Sequence, residues 1–230
     1  FPIFTKYLTI KKKTMKKFII PALLFAAVLT TSCGSNAVEA SDAKEVKKVA
    51  ITGTYDVLGD HNHVDWKAWH LGKTGERFGT VVLSVAKASV NEGALVAGKF
   101  VLDLTALTVE NFGDDTAQNE KLRGHLTSGD FFLTDSFPTA TFEITNVDTT
   151  SGDFNSIVTG NLTIKGVSKS ISFKSNVEIT EDAVSIASET FEVNREDWGL
   201  SYHNEGSVGV PADYLIANEI AFTIHANLTK

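Results

Sequence analysis

The feature that most constrains this chain is a two-residue alternation of apolar and polar side chains that recurs along most of its length. Near the C-terminus Ile220, Phe222, Ile224, Ala226 and Leu228 fall on one face of an extended segment, while Glu219, Thr223, His225 and Asn227 fall on the other. Successive side chains of a strand point to opposite faces, so this period marks a strand with one buried side. Ile171, Phe173, Val177 and Ile179 repeat the pattern, as do Val158, Leu162 and Ile164, and Gly166 between them marks a hairpin turn. Further strands are expected over 52–58, 63–71, 77–90, 95–104, 140–147, 183–188 and 191–194, divided by turn sequences such as Asn91-Glu92-Gly93 and Ser151-Gly152-Asp153. One helix is expected over about 115–128, capped by Asp114 or Asp115 and stopped near Gly129, with Leu122, His125 and Leu126 on one face.

Eight or more antiparallel strands with one helix, in under 200 residues, make a barrel or a sandwich. Two details favour a barrel. The strand over 77–90 carries apolar residues on both faces, Val81, Leu83 and Val85 against Phe78, Val82 and Val90, as expected where one face meets a lumen and the other a covering segment. Strands of ten or more residues also suit a barrel of about eight strands, which can enclose one small ligand. The expected fold is therefore all-β, an eight-stranded antiparallel barrel with one helix between strands.

The N-terminal part has a different logic. The only Met is Met15, so residues 1–14 read as over-extended translation or vector-derived sequence. Residues 15–32 run from Lys16-Lys17 through the apolar stretch Phe18 to Leu29 into Thr30-Thr31-Ser32, the plan of a secretory signal. The stretch is too short for the roughly 20 apolar residues of a bilayer-spanning helix. Cys33, the only cysteine, follows the signal and resembles the lipidated residue of a lipobox, although Thr30 stands where Leu is usual. A lone exported Cys has no internal disulfide partner, which favours acylation and a membrane anchor. Residues 33–49 are small, polar and charged and read as a flexible tether, leaving 50–230 as the barrel domain.

The chain has 21 basic and 28 acidic residues. Six basic residues and no acidic one precede Cys33, so 15 face 28 in the remainder. That balance argues against nucleic acid or anionic headgroups as partners, because phosphates are held by Lys and Arg. No Gly-x-Ser-x-Gly elbow, P-loop or Gly-x-Gly-x-x-Gly occurs, and no carboxylate pair stands out, so the chain is read as a non-enzyme with no cofactor.

Individual residues leave alternatives open. The aromatics Phe100, Phe131, Phe132, Phe142, Phe173, Phe191 and Phe222 are core in a filled barrel and lining in a hollow one. His125, beside Arg123, either meets a ligand head group at the barrel mouth or fixes the helix by a hydrogen bond. Arg195 shares the alternation of Phe191 and Val193, so it points inward and needs a partner. Glu196, Asp197, Asp103 or a ligand phosphate would serve, with the ion pair favoured. His61 and His63 share a strand face at metal-ligand spacing, but no third or fourth ligand is evident, and no metal site is assigned.

A set of ordered motifs adds to this reading. They include Tyr55-Asp56 with His63, Trp69-His70-Leu71-Gly72, Arg77-Phe78-Gly79, Gly98-Lys99-Phe100 with Asp103, and Lys121 to Leu126 leading into Asp130-Phe131-Phe132. Phe137-Pro138-Thr139-Ala140-Thr141-Phe142, Gly160 to Val167 and Asn194-Arg195-Glu196-Asp197-Trp198-Gly199 follow. Over about 52–228 the chain resembles the YceI-like family, whose members are described as polyisoprenoid-binding, lipocalin-like barrels of bacterial envelopes. The resemblance implies a tunnel for an isoprenoid such as a quinone tail or a polyprenyl phosphate. Under that implication Trp69, Phe78, Phe100, His125, Phe131, Phe132, Phe142, Phe173, Arg195 and Trp198 form the lipid site. Where members often carry His-Ser, this chain reads Asn62-His63-Val64-Asp65-Trp66, and the Trp66 indole narrows the tunnel.

The expected protein is an exported envelope lipoprotein, anchored through Cys33 at the periplasmic or outer surface, that carries an amphiphilic lipid; a homodimer is compatible with this. Two rivals stay open. One is a filled barrel acting as an interaction module, which Trp66 and Trp69 in the lumen would favour. The other is an enzyme on a lipid-linked substrate, which an acid or base facing the tunnel would favour.

Overall fold

A strand with one apolar face must satisfy its edges as well as bury that face, and a closed ring of strands does both at once. The computed structural model describes residues 36–48, 50–57 and 62–230. The leader, Cys33 and His61 lie outside the described residues. The strands are β1 (Ser41–Asp42), β2 (Gly53–Val57), β3 (His63–His70), β4 (Thr74–Asn91), β5 (Ala94–Asp103) and β6 (Thr139–Thr149). After them come β7 (Ser156–Ile164), β8 (Val167–Ile179), β9 (Ala183–Ser188), β10 (Phe191–Asn194) and β11 (Ile216–Thr229), with the helix α1 (Thr116–Thr127) between β5 and β6.

Every pairing between these strands is antiparallel, and consecutive strands from β3 to β9 are neighbours. The ring closes because β11 pairs on one side with β9 and β10 and on the other with β3 and β2. Taking β2 with β3, and β9 with β10, as halves of two interrupted strands, the wall has eight strands. Two-residue turns with both φ angles positive, Glu92-Gly93 and Lys165-Gly166, join β4 to β5 and β7 to β8. Their backbone twist matches that of the strands, which is why glycine follows in each.

The two-sided apolar pattern of β4 has a cause other than the covering segment expected from the sequence. Its register against β5 shifts between Leu83 and Val85, so Ser84 and Val85 both face outward. Val81 and Leu83 before this bulge, and Ala86, Ala88 and Val90 after it, all point inward. An extra residue reverses the parity of everything beyond it. Phe78, Val82 and Val85 are left exposed on the outer wall.

Residues 36–44, read from the sequence as tether, lie along the barrel wall. Beyond β9 the wall has a gap between β8 and β10 that this segment fills. Ala37 bridges Glu192 in parallel, with Val38 N–H donating to Glu192 O at 2.7 Å, and Ser41 and Asp42 pair with Ser170 and Lys169. Val38 and Ala40 pack against the core. A polar segment has little drive to collapse by itself, but here its backbone satisfies two strand edges at once.

The register places the hairpins at 92–93, 150–155 and 180–182 at one end of the barrel. The long connections 104–138 and 195–215 lie at the other. Helix α1 belongs to this loop end. Its N-cap is Asp115, whose carboxylate accepts from Gln118 N–H at 3.1 Å. Leu122 and Leu126 are its apolar contribution to the core, and Arg123 pins it, donating to Leu107 O at 3.1 Å and Thr105 O at 3.0 Å.

Candidate ligand-binding site

Inside the loop-end half of the barrel the inward side chains do not meet. They enclose a cavity of about 120 Å³, within a total void of about 1220 Å³ that includes its open mouth, and its accessible wall is entirely apolar. Val64, Trp66 and Ala68 of β3 form one side, Phe100 and Leu102 of β5 and Phe142 and Ile144 of β6 another. Ile216, Ile220, Phe222 and Ile224 of β11 complete the wall, and Leu104, Leu107, Leu126, Phe131 and Phe132 cover it.

A belt of phenyl rings runs around this wall. Phe100 to Phe142, Phe142 to Phe173, Phe173 to Phe191 and Phe191 to Phe222 lie at centroid distances of 6.4, 5.4, 4.5 and 6.1 Å. Offset and tilted ring pairs at these distances contribute about 0.5–1.5 kcal/mol each beyond their buried area. The belt has no ring from β7 because Phe142 already covers it. A Cβ on Gly160 would stand 2.4 Å from Phe142 Cζ, so only glycine at this position lets the ring lie flat against the wall. The rings therefore line the wall and leave the cavity between them.

Trp66 stands in the wall as expected of a residue that narrows the lumen, but it does not fill it. Its indole lies across Gly79 and donates from Nε1 to Thr108 O at 3.2 Å. A Cβ on Gly79 would be 2.1 Å from that same carbonyl oxygen, so this glycine permits segment 108–110 to pair with β4, with Glu110 N–H donating to Phe78 O at 3.0 Å.

Of the ten lipid-site residues expected from the sequence, Phe100, Phe131, Phe132, Phe142, Phe173 and Arg195 line the cavity. The other four do not. Trp69 is on the outer wall, donating to Glu76 Oε2 at 3.3 Å, and Phe78, opposite Lys67 in register, lies outside too, β3 presenting odd and β4 even positions outward. Trp198 is fully buried but belongs to the barrel end, where its Nε1 donates to Leu162 O at 2.9 Å. His125 faces Asp130, Nε2 to Oδ2 3.0 Å, and edges onto Phe131 and Tyr202, while its neighbour Leu126 reaches the cavity.

Arg195 is inward and buried, as its alternation implies, but its partners differ from those expected. It begins a short 3-10 helix, 195–198, and its guanidinium donates to three backbone carbonyls: Ala217 O at 3.0 Å, Ile216 O at 3.2 Å and Leu200 O. No carboxylate lies within ion-pair distance among the described residues; Glu196, Glu205 and Glu219 act on it only from further off. Burial holds its pKa below the usual arginine value, against the pull of those carboxylates. With its donors engaged, Arg195 seals the barrel end where β11 leaves the 195–215 connection.

Beyond the ten, the cavity is lined by Trp66, Phe191 and Phe222 and otherwise by aliphatic residues. Ile220 and Ile224 were visible in the alternation of β11 but indistinguishable there from core, and Ile216 lies before that alternation. Leu104 and Leu107 sit in the 104–138 connection where no period marks a face, and Leu126 was placed on a helix face but not assigned to the site.

A polar cluster lies on the outer wall. His63 of β3 pairs directly across from His225 of β11, their rings 5.0 Å apart, and Asp65 lies between them. Its Oδ1 is 3.3 Å from His63 Nε2 and its Oδ2 is 3.1 Å from His225 Nε2. By spacing His63 pairs with His61, which lies outside the described residues, and has Asp65 and His70 only as residues close in chain; pairing across the barrel seam adds His225 to His63 and Asp65 of β3.

A model of the YceI-like domain matches residues 55–228. UPF0312 proteins of Pseudomonas putida are 34% identical over 119 residues, 52% of this chain and 58% of theirs. One from Pseudomonas aeruginosa PAO1 is 33% identical over 124 residues, 53% of this chain and 59% of its own. The matched region thus spans under two thirds of these curated relatives. Two solved structures share the fold at 16% identity and a TM-score of 0.51. They are Burkholderia cenocepacia BcnA, over 72% of this chain and 95% of that one, and a polyisoprenoid binding domain from Saccharophagus degradans implicated in plant cell wall breakdown, over 76% and 97%.

Proposed function

Because the chain belongs to the family of YceI-like domains, we propose that it is a cell-envelope lipoprotein that shelters the tail of a long isoprenoid, such as a quinone or a polyprenyl phosphate, inside its barrel. The observation that carries this reading is the entirely apolar cavity behind the phenyl belt. A polar or charged ligand would find no partner there and would lose its hydration. A branched hydrocarbon loses nothing and gains about 25 cal/mol for each Å² of apolar surface removed from water, less the cost of ordering it. The polyisoprenoid-binding domain of Saccharophagus degradans, with which this chain shares its fold, supports the same ligand class.

The cavity of about 120 Å³ is close to the roughly 150 Å³ hole that takes one benzene ring in an engineered protein. It holds the end of a tail as it stands. A longer chain enlarges it at the mouth, where Leu126, Phe131 and Phe132 belong to a connection and not to the hydrogen-bonded wall. The head group stays outside. A carrier needs no chemistry, and Arg195, the one ionisable side chain at the wall among the described residues, already donates to three carbonyls. Trp66 and Trp69, the residues that would fill a solid barrel, leave the lumen open.

The anchor is part of the proposal. Acylation of Cys33 would hold the barrel domain at its membrane. Native mass spectrometry with lipid extraction, on residues 34–230 purified from a bacterial periplasm, tests the ligand. The expected result is a bound species of one mass that extracts as an isoprenoid. A stable, empty barrel that also takes up no added quinone or polyprenol sinks the reading and leaves the interaction module.

A further inference from the structure

We infer that His63, Asp65 and His225 form a binding site for a divalent late first-row metal ion, Zn²⁺ in the first instance, on the outside of the barrel and independent of the lipid reading. Their three donor atoms lie within 4.8 Å of one another, and all three side chains are half-buried. Ligands of a tetrahedral Zn²⁺ at about 2.0–2.1 Å stand about 3.3 Å apart. The two imidazole nitrogens already lie 3.3 and 3.1 Å from the carboxylate oxygens of Asp65. Little rearrangement is needed: His225 already hydrogen-bonds Asp65 and His63 stands within ion-pair distance of it, and the carboxylate swings from bridging the imidazoles to sharing the metal with them.

The backbone sets this arrangement. His63 and His225 are directly opposite in antiparallel register, and Asp65, opposite Thr223, is two residues along β3 on the same outward face. Neighbouring strands keep such side chains about 5 Å apart without any contribution from loops. Two imidazoles with one carboxylate select Zn²⁺, Ni²⁺ or Cu²⁺ over Mg²⁺ and Ca²⁺, which prefer oxygen ligands throughout. Three protein ligands leave at least one position open. Asp65 also edges a shallow groove lined by Lys67, Thr80, Glu110 and Thr223, so the open position has solvent access.

The place matters as much as the ligands. The β3–β11 seam is where the first and last long strands of the ring meet, and Asp65 and His225 are 160 residues apart in the chain. An ion bound there staples the closure of the barrel. It binds the folded seam and not the separated strands, so it raises stability by mass action.

The test is calorimetric titration with Zn²⁺ of the untagged full chain carrying Cys33→Ser, so that the lone thiol takes no metal. One Zn²⁺ per chain with a Kd below about 10 μM is expected, and at a hundredfold excess over Kd the Tm should rise by about 5–10 °C. The double variant His63→Gln/His225→Gln should bind at least 30-fold more weakly and lose the Tm response. No binding tighter than millimolar, or binding retained in that variant, overturns the proposal. Should the double variant fail to fold, Co²⁺ in the parent chain decides: two paramagnetically shifted imidazole N–H resonances support the site, and their absence refutes it.

Discussion

At the hairpin end of the barrel the inward positions carry Ala88, Val90, Val184, Ala226 and Leu228. Across them lies Tyr55, its hydroxyl within 3.1 Å of Thr180 O and 3.2 Å of Glu181 O. At the loop end the same alternation carries Phe100, Phe142, Phe173, Phe191 and Phe222, and the centre is hollow. The end built of small residues is solid, and the end built of large ones is empty. Small side chains let one buried tyrosine lie across the lumen and close it, whereas rings stacked or tilted against one another along the wall satisfy one another and leave a cavity between them. Side-chain bulk therefore does not measure how full a barrel is; what counts is whether the rings point across the lumen or lie along its wall.

The same truncation at the two ends gives the largest expected effect. Leu228→Ala, in the solid end, should cost about 4–5 kcal/mol, and Leu162→Ala, on the cavity wall, about 2 kcal/mol, because a side chain already facing a void loses fewer contacts. Urea midpoints at unchanged slope measure both. Equal costs would mean that the loop end is packed in solution, and the contrast between the ends would be lost.

A filling substitution sharpens the contrast from the other side. Ala140 is buried and faces the cavity. Ala140→Leu should leave stability within about 1 kcal/mol of the parent, because the added carbons enter existing space. Uptake of a fluorescent polyprenol should fall at least tenfold. Unchanged uptake would place the ligand elsewhere.

The smallest effect concerns the segment that roofs the cavity. Asp103 caps the 3-10 turn 104–106, accepting from Thr105 Oγ1 at 2.6 Å and Thr105 N–H at 2.9 Å. The Thr105 hydroxyl, with backbone donors behind it, holds the Asp103 carboxyl below the usual carboxylate value despite partial burial. A depressed carboxylate adds stability above its unfolded pKa and loses it as pH falls through the folded one. Asp103→Asn should therefore flatten the fall in stability below about pH 4 and lower stability at pH 7 by a few tenths of a kcal/mol, since the group is largely solvated. Urea midpoints at pH 7 and pH 3 check this; an identical pH slope in both proteins would remove Asp103 from the roof's account.

Much of the wall was legible in the sequence because strand parity is a local property. Once Ile220, Phe222 and Ile224 are assigned to one face, no distant residue can move them to the other, short of a bulge. The bulge at Leu83 to Val85 was the exception, and it made exposed valines look like a second buried face. The site was legible only in part. Phe142 and Phe173 announce themselves, but Trp69 and Phe78 are as aromatic and stand outside, on the opposite parity of β3 and β4. Leu126 rather than His125 meets the cavity, a difference of one residue on a helix whose apolar face is only two leucines wide.

By itself the sequence determined the all-β class, the positions of the strands and helix and the parity of their faces, because each of these follows from the spacing of neighbours along one chain. Only the tertiary structure decided which end of the barrel is hollow, that residues 36–44 fill a gap in the wall, that Arg195 meets carbonyls in place of carboxylates, and that His63 and His225 share Asp65. Those depend on residues from remote strands arriving at one point, and ring closure, not local spacing, sets which residues arrive.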